Sequence, residues 1–155
     1  MHVHHAAITV KDMDKSIAFY RDGLGLNVFQ DEVISGPEVD TGLMEPGAKV
    51  RMVLLMDETG NMIELLGWQS PSARERPPEH MRFTSTGLVE VAFMVDDLER
   101  VEESLNEAGY SFRTPVWRMG SDLESYGGAE ARIRYVEDPN GVQVELMQVV
   151  MKGES

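Results

Sequence analysis

An internal duplication is the feature that most constrains the fold of this 155-residue chain. Residues 3–20 contain a short apolar run, a polar break with an aspartate, and apolar positions at helical spacing, and residues 89–105 repeat that order. The alignment places His5 over Glu90, at an offset of 85 residues. Two occurrences of one pattern predict a repeated unit in which a strand leads into a helix.

A second echo ends each half of the chain. The sequence DETGNMIELL starts at Asp57 and DPNGVQVELM starts at Asp138, and their alignment places Glu64 over Glu145 at an offset of 81 residues. Each echo has a turn signal followed by a strand signal, as a hairpin does. The two echoes in the same order predict two tandem strand–helix–strands modules, at about residues 1–68 and 87–150, within one domain spanning 1–155.

The remaining segments are predicted from local signals. Residues 69–86 are rich in Pro, Ser, Arg and Glu and are predicted to link the two modules. Residues 35–48 and 117–130 are predicted to be loops that determine specificity, since they lie between strands and carry Gly or Pro. A strand is expected over 111–116.

Composition excludes several classes of protein. A formal charge of −13 disfavours nucleic acid and anionic membrane surfaces as partners. No apolar run reaches the roughly 18 residues of a membrane span, and no export signal is recognised, so we expect a cytoplasmic protein. The absence of cysteine excludes disulfides and thiolate chemistry.

The duplication pairs four residues that have metal-ligand chemistry. His5 and Glu90 occupy equivalent opening strands, and Glu64 and Glu145 occupy equivalent closing strands. The carboxylates have mostly apolar neighbours on their own strand faces, where an unpaired charge is costly. One imidazole and three carboxylates suit an octahedral divalent ion better than a structural tetrahedral zinc. The bland alternative is a surface histidine and three glutamates on solvated sheet faces.

Other candidate site residues are less constrained. Arginines on the strands before each hairpin have the geometry to bind a substrate carboxylate or phosphate, and aromatic residues in or near the loops have the bulk to wall a pocket. The alternative for each arginine is an ion pair with a surface carboxylate. These candidates are Arg51, Arg132, Arg134, Trp68, Trp117 and Tyr126. His4 is expected to point away from His5 and not to be a ligand.

The quoted segments resemble the vicinal oxygen chelate superfamily, which includes glyoxalase I, methylmalonyl-CoA epimerase, extradiol dioxygenases and the bleomycin and fosfomycin resistance proteins. The opening HHAAITVKDMDKSIAFYRDGLGL and the closing DPNGVQVEL are similar to that family's two signatures. The resemblance implies an α+β fold in which two βαβββ modules form an open, cupped barrel. It also implies one divalent metal, with His5, Glu64, Glu90 and Glu145 at the ligand positions.

The chemistry implied by the resemblance is that of a lyase, isomerase or epimerase. Glu145 and Glu64 are the candidate bases, each able to alternate between metal ligand and proton acceptor. A single histidine in the set disfavours an extradiol dioxygenase, which uses two. The pattern does not choose among Ni, Co, Mn, Fe, Zn and Mg. The alternative is a resistance-type protein that binds a drug or metabolite without turnover.

The predicted partners are a small-molecule substrate and a second copy of the chain. A homodimer is expected because open sheets leave strand edges, and apolar residues such as Val53 and Leu55, in need of cover.

Overall fold

The structure, a computed structural model, describes residues 1–119 and 129–151. The chain divides into two compact units, Met1–Arg76 and Pro77–Ser155, and the boundary lies inside the predicted linker. Within the described residues, no helix is long and apolar enough to span a membrane.

The first unit has one four-stranded sheet with short helices. Its strands follow the order β1-β4-β3-β2, with β1 parallel to β4 and the other neighbours antiparallel. The elements are β1 (His5–Thr9), α1 (Met13–Ala18), a π-helical turn (Phe19–Gly23), β2 (Asn27–Ser35), α2 (Pro37–Leu43), β3 (Lys49–Met56) and β4 (Met62–Ser70).

The second unit repeats this topology with the order β5-β8-β7-β6. Its elements are a 3₁₀ helix (Pro78–Met81), β5 (Val91–Met94), α3 (Leu98–Glu107), β6 (Trp117–Met119), β7 (Glu130–Glu137) and β8 (Gln143–Val150). Each sheet is open, because it ends in two edge strands. The predicted α+β class with two tandem βαβββ modules is confirmed.

The register of the strands repeats as well as their order. In the first unit Ala7 of β1 is the partner of Glu64 in β4, and in the second Ala92 of β5 is the partner of Glu145 in β8. The offsets between these pairs are those of the two sequence echoes. The duplication therefore extends to the individual residue pairs of each sheet.

Helices α1 and α3 begin at equivalent N-terminal caps. Asp12 accepts a hydrogen bond from the backbone N–H of Lys15, and Asp97 accepts one from the N–H of Arg100. Such caps satisfy backbone donors that a helix leaves free at its first turn. The apolar side of α1 then packs on β4, where a Cβ at Gly67 would lie 3.0 Å from Met13 Cε.

The hairpin turns also repeat. The carboxylate of Asp57 accepts backbone hydrogen bonds from Thr59 and Asn61, and that of Asp138 accepts them from Asn140 and Val142. Each aspartate thus fixes the turn between the last two strands of its unit.

One face of each sheet lies against a helix, and we call it the helix face. In the first unit Val53, Leu55 and Leu65 lie on it and are completely buried. The expectation that Val53 and Leu55 need cover from a second chain is therefore wrong. The opposite face carries Glu64 in the first sheet and Glu145 in the second, and we call it the site face.

Two predicted loops contain regular structure. Residues 35–48 include helix α2, which Pro37 starts at its first position and which Asp40 ties down by accepting a hydrogen bond from the Ala48 N–H. Residues 117–130 begin with strand β6 and end in β7. The strand expected over 111–116 is wrong, since Phe112 makes only a single bridge to Val136.

Candidate functional site

His5 and Glu64 come together on the site face of the first sheet. His5 begins β1, and β4 runs parallel beside it with Glu64 opposite Ala7. The His5 Nε2 and Glu64 Oε2 atoms are 3.4 Å apart, and the Glu64 side chain is only 15% exposed. Half of the predicted metal-ligand set is thus assembled within one unit.

His4 lies against His5, contrary to the expectation that it points away. The two Nδ1 atoms are 2.8 Å apart, and the rings meet edge to face with centroids separated by 5.1 Å. One of the two nitrogens must carry the shared proton. A proton on His5 Nδ1 leaves the lone pair of Nε2 free on the side of Glu64, as a metal-ligating histidine requires.

Glu90 and Glu145 come together on the site face of the second sheet. Glu90 immediately precedes β5, and its Oε2 is buried without a hydrogen-bond partner among the described residues. Burial, and to a smaller degree the neighbouring charge of Glu145, raises the pKa of Glu90. A buried carboxylate beside a second one is unfavourable unless it takes up a proton or a cation neutralises it.

Tyr135 is a site residue that sequence analysis missed. It pairs with Glu145 across the β7–β8 hairpin, and its hydroxyl donates a hydrogen bond of 2.6 Å to Glu145 Oε2. Burial and that hydrogen bond raise the pKa of Tyr135, so it remains a donor. The turn at Asp138 was recognisable in the sequence, and counting outward from it would have placed Tyr135 opposite Glu145.

The three candidate arginines lie on the helix faces of their sheets, whereas Glu64 and Glu145 lie on the site faces. Arg51 binds both carboxylate oxygens of Asp31 and contacts Asp14 at 3.0 Å. Arg134 pairs with Glu102 of α3 and stacks on Phe112. Arg132 lies 3.5 Å from Glu130, its Nε buried without a hydrogen bond among the described residues.

The aromatic candidates differ in position. Trp117 lies on β6 opposite Ile133, which places it on the site face with Tyr135, and it is half exposed. Trp68 lies near the end of β4 on the same face as Glu64. Tyr126 lies outside the described residues.

Each pair of predicted ligands therefore lies within its own unit, and the meeting of all four residues remains a prediction. Among residues 1–119 and 129–151, no group of three or more His, Asp or Glu side chains is arranged to hold a metal ion. The donor types in each unit fit a divalent cation: in the second unit the Glu90 Oε2 has no hydrogen-bond partner among the described residues, and in the first unit the His5 imidazole can present a nitrogen lone pair.

Solved structures share this arrangement of strands and helices. A glyoxalase family protein from Bacillus cereus superposes with a TM-score of 0.83 at 18% identity, covering 97% of this chain and 95% of that one. A glyoxalase/dioxygenase from Nostoc punctiforme gives a TM-score of 0.68 at 24% identity, covering 96% and 90%. Both support the fold.

Sequence comparison identifies the family. The uncharacterized protein YwkD of Bacillus subtilis is 30% identical over 107 residues, which is 69% of this chain and 71% of YwkD. The family model described as Glyoxalase/Bleomycin resistance protein/Dioxygenase superfamily matches residues 2–146, which include all four predicted ligands. The duplicated fold and this match agree with the resemblance found in the sequence. The chain belongs to the Glyoxalase/Bleomycin resistance protein/Dioxygenase superfamily.

Proposed function

We propose that this protein is a metal-dependent lyase, isomerase or epimerase that removes a proton next to a substrate carbonyl. The observation that carries the proposal is the buried Oε2 of Glu90, which has no hydrogen-bond partner among the described residues, on a carboxylate that lies beside the charge of Glu145. A site that concentrates negative charge away from water is suited to a cation.

The proposed ligands are His5, Glu64, Glu90 and Glu145. His5 would supply the only nitrogen, oriented by its contact with His4 Nδ1. A bound divalent cation would polarise the substrate carbonyl and stabilise the negative charge that develops as the proton leaves. Three carboxylates exceed the charge of one dication, so one of them is available to act as a base.

We assign the base to Glu145. Its Oε2 is held by the Tyr135 hydroxyl at 2.6 Å, which leaves Oε1 to accept a proton from the carbon next to the carbonyl. Glu64 lies opposite Leu54 in the strand register, so no hydroxyl occupies the place that Tyr135 has beside Glu145. Glu64 is instead paired with His5. A base must keep its orientation to work efficiently, and Tyr135 supplies that orientation to Glu145.

Metal analysis and proton exchange test this proposal. Protein purified without a His tag should contain about one equivalent of a divalent metal per site. A screen of carbonyl compounds, including thioesters and hemithioacetals, should then find one whose α-hydrogen exchanges with deuterium from the solvent in a metal-dependent way. Metal-free protein that still binds a small molecule, without exchange, would favour the alternative of a drug- or metabolite-binding protein.

A further inference from the structure

A recess lies on the site face of the first sheet, at the other end of β1 and β4 from the His5–Glu64 pair. It is a cleft of about 320 Å³. Its lining includes Thr9 at the end of β1, Trp68 near the end of β4, and Glu45 from the connection between α2 and β3. Ser72 and Arg74, from the segment that follows β4, complete the wall. We call this recess the distal cleft.

Strand alternation connects the distal cleft to the candidate site. Thr9 lies on the same side of β1 as His5, and Trp68 lies on the same side of β4 as Glu64, since side chains of a strand alternate between its faces. The members of each pair are four positions apart in the sequence, which corresponds to about 13 Å along the strand. One extended small molecule can therefore reach from the glutamate to the cleft.

An ion pair joins the segment that lines the distal cleft to a residue just beyond the end of β1. Lys11 Nζ, just beyond β1, contacts Glu75 Oε1 at 2.7 Å. This exposed ion pair brings the segment that carries Ser72 and Arg74 beside the end of β1.

The distal cleft is lined by one acidic and one basic side chain, Glu45 and Arg74. Neither Glu45 nor Arg74 takes part in an ion pair within the described part of the chain, with each other or with any other residue. The indole of Trp68 offers an apolar surface beside them, and the hydroxyls of Thr9 and Ser72 offer further hydrogen bonds. A ligand with only one sign of charge would satisfy one of the two groups and oppose the other.

We propose that the distal cleft binds the zwitterionic end of an amino-acid-like small molecule. Arg74 donates two hydrogen bonds from its guanidinium to the ligand carboxylate, and Glu45 accepts hydrogen bonds from the ligand ammonium. Trp68 packs against the apolar side chain of the ligand. As a subsite for the far end of the substrate, this inference rests on the proposed function; as a binding site, it does not.

Trp68 fluorescence tests the inference without a metal or turnover. The chain has two tryptophans, so Trp117→Phe leaves Trp68 as the only one. In this background we would titrate leucine, N-acetylleucine and leucine amide, which share a side chain but carry both charges, the negative charge alone and the positive charge alone. We expect leucine to bind about ten-fold more tightly than either relative, since each lost charge removes a charge-assisted contact.

Two substitutions and a control complete the experiment. Arg74→Gln should weaken leucine about ten-fold, and Glu45→Gln should abolish the preference for leucine over N-acetylleucine. Arg76→Gln, on the same segment but outside the cleft, should change neither. Equal binding of the three ligands, or equal effects of Arg74→Gln and Arg76→Gln, would overturn the inference. Deuterium exchange at the proposed metal site is measured separately, so either proposal can fail while the other stands.

Discussion

The Tyr135 hydroxyl donates a hydrogen bond of 2.6 Å to Oε2 of Glu145, whereas the equivalent place opposite Glu64 is occupied by Leu54. The two modules share topology and register, so this is a chemical divergence within a repeated frame. It distinguishes two glutamates that the duplication makes equivalent.

Tyr135→Phe should lower the exchange rate while leaving the metal content unchanged. The substitution removes one charge-assisted hydrogen bond, worth about 1.5–3 kcal/mol, and frees Glu145 to rotate. We expect kcat for exchange to fall about ten-fold or more with KM little changed, measured with any substrate found in the screen. Tyr110→Phe, which removes a hydroxyl elsewhere in the same unit, is the control. An unchanged kcat in Tyr135→Phe would show that the hydrogen bond does not orient the base.

Glu145→Gln and His5→Ala should separate the base from the nitrogen ligand. Loss of a general base lowers rates by roughly 10²–10⁴-fold. Glu145→Gln should therefore abolish exchange but retain about one metal per site, because two carboxylates still neutralise a dication. His5→Ala should lose metal as well, since it deletes the only nitrogen donor. If Glu145→Gln with metal bound keeps most of the exchange rate, Glu64 becomes the candidate base.

Arg51→Met should lower stability without affecting substrate binding. Arg51 joins Asp31 on β2 to Asp14 on α1, and these contacts raise its pKa, chiefly through the hydrogen bonds to Asp31. The group is partly exposed, so we expect a loss of about 1 kcal/mol in urea unfolding. KM should not change, because Arg51 lies on the face opposite Glu64. A large rise in KM would return Arg51 to the list of substrate-binding residues.

Asp57 should make stability depend on acidic pH. Burial raises the pKa of this carboxyl, but hydrogen bonds from Asn61 and Thr59 lower it, and the net result is about 2, against 3.8 for the ordinary group. A depressed pKa in the folded state means that the contribution is complete above pH 4 and is lost as the pH falls towards 2. Asp57→Ala should thus be about 1 kcal/mol less stable at pH 7, and the difference should shrink at pH 2. A constant difference across this range would contradict the assignment.

Light scattering should give twice the 17.4 kDa mass of the chain at micromolar concentration. Exposed apolar side chains on the edge strand β2 are candidates for a dimer interface, since Phe29 is 62% and Val33 is 50% exposed. Phe29→Lys should shift the protein towards monomer, while Glu32→Lys on the same strand should not. A wild-type monomer at these concentrations would contradict the predicted homodimer.

The sequence by itself determined the repeated frame. Two echoes at offsets of 85 and 81 residues predicted two tandem strand–helix–strands modules, and the same offsets relate the strand pairs Ala7–Glu64 and Ala92–Glu145. Local chemistry is sufficient for this, because capping aspartates and Asx turns act within a few residues of chain. For the same reason the helix caps and the hairpin turns were predictable.

Tertiary structure alone decided which face of each sheet a helix covers and which groups meet. Arg51 lies on the helix face together with Gly67, its partner across the hairpin, and there it meets the carboxylates of Asp14 from α1 and Asp31 from β2. The contact of His4 with His5 depends on side-chain rotation before the first strand, and no periodicity encodes that. Sequence spacing specifies the order of pairs along strands, whereas the orphaned oxygen of Glu90 arises from burial, which only the packed chain imposes.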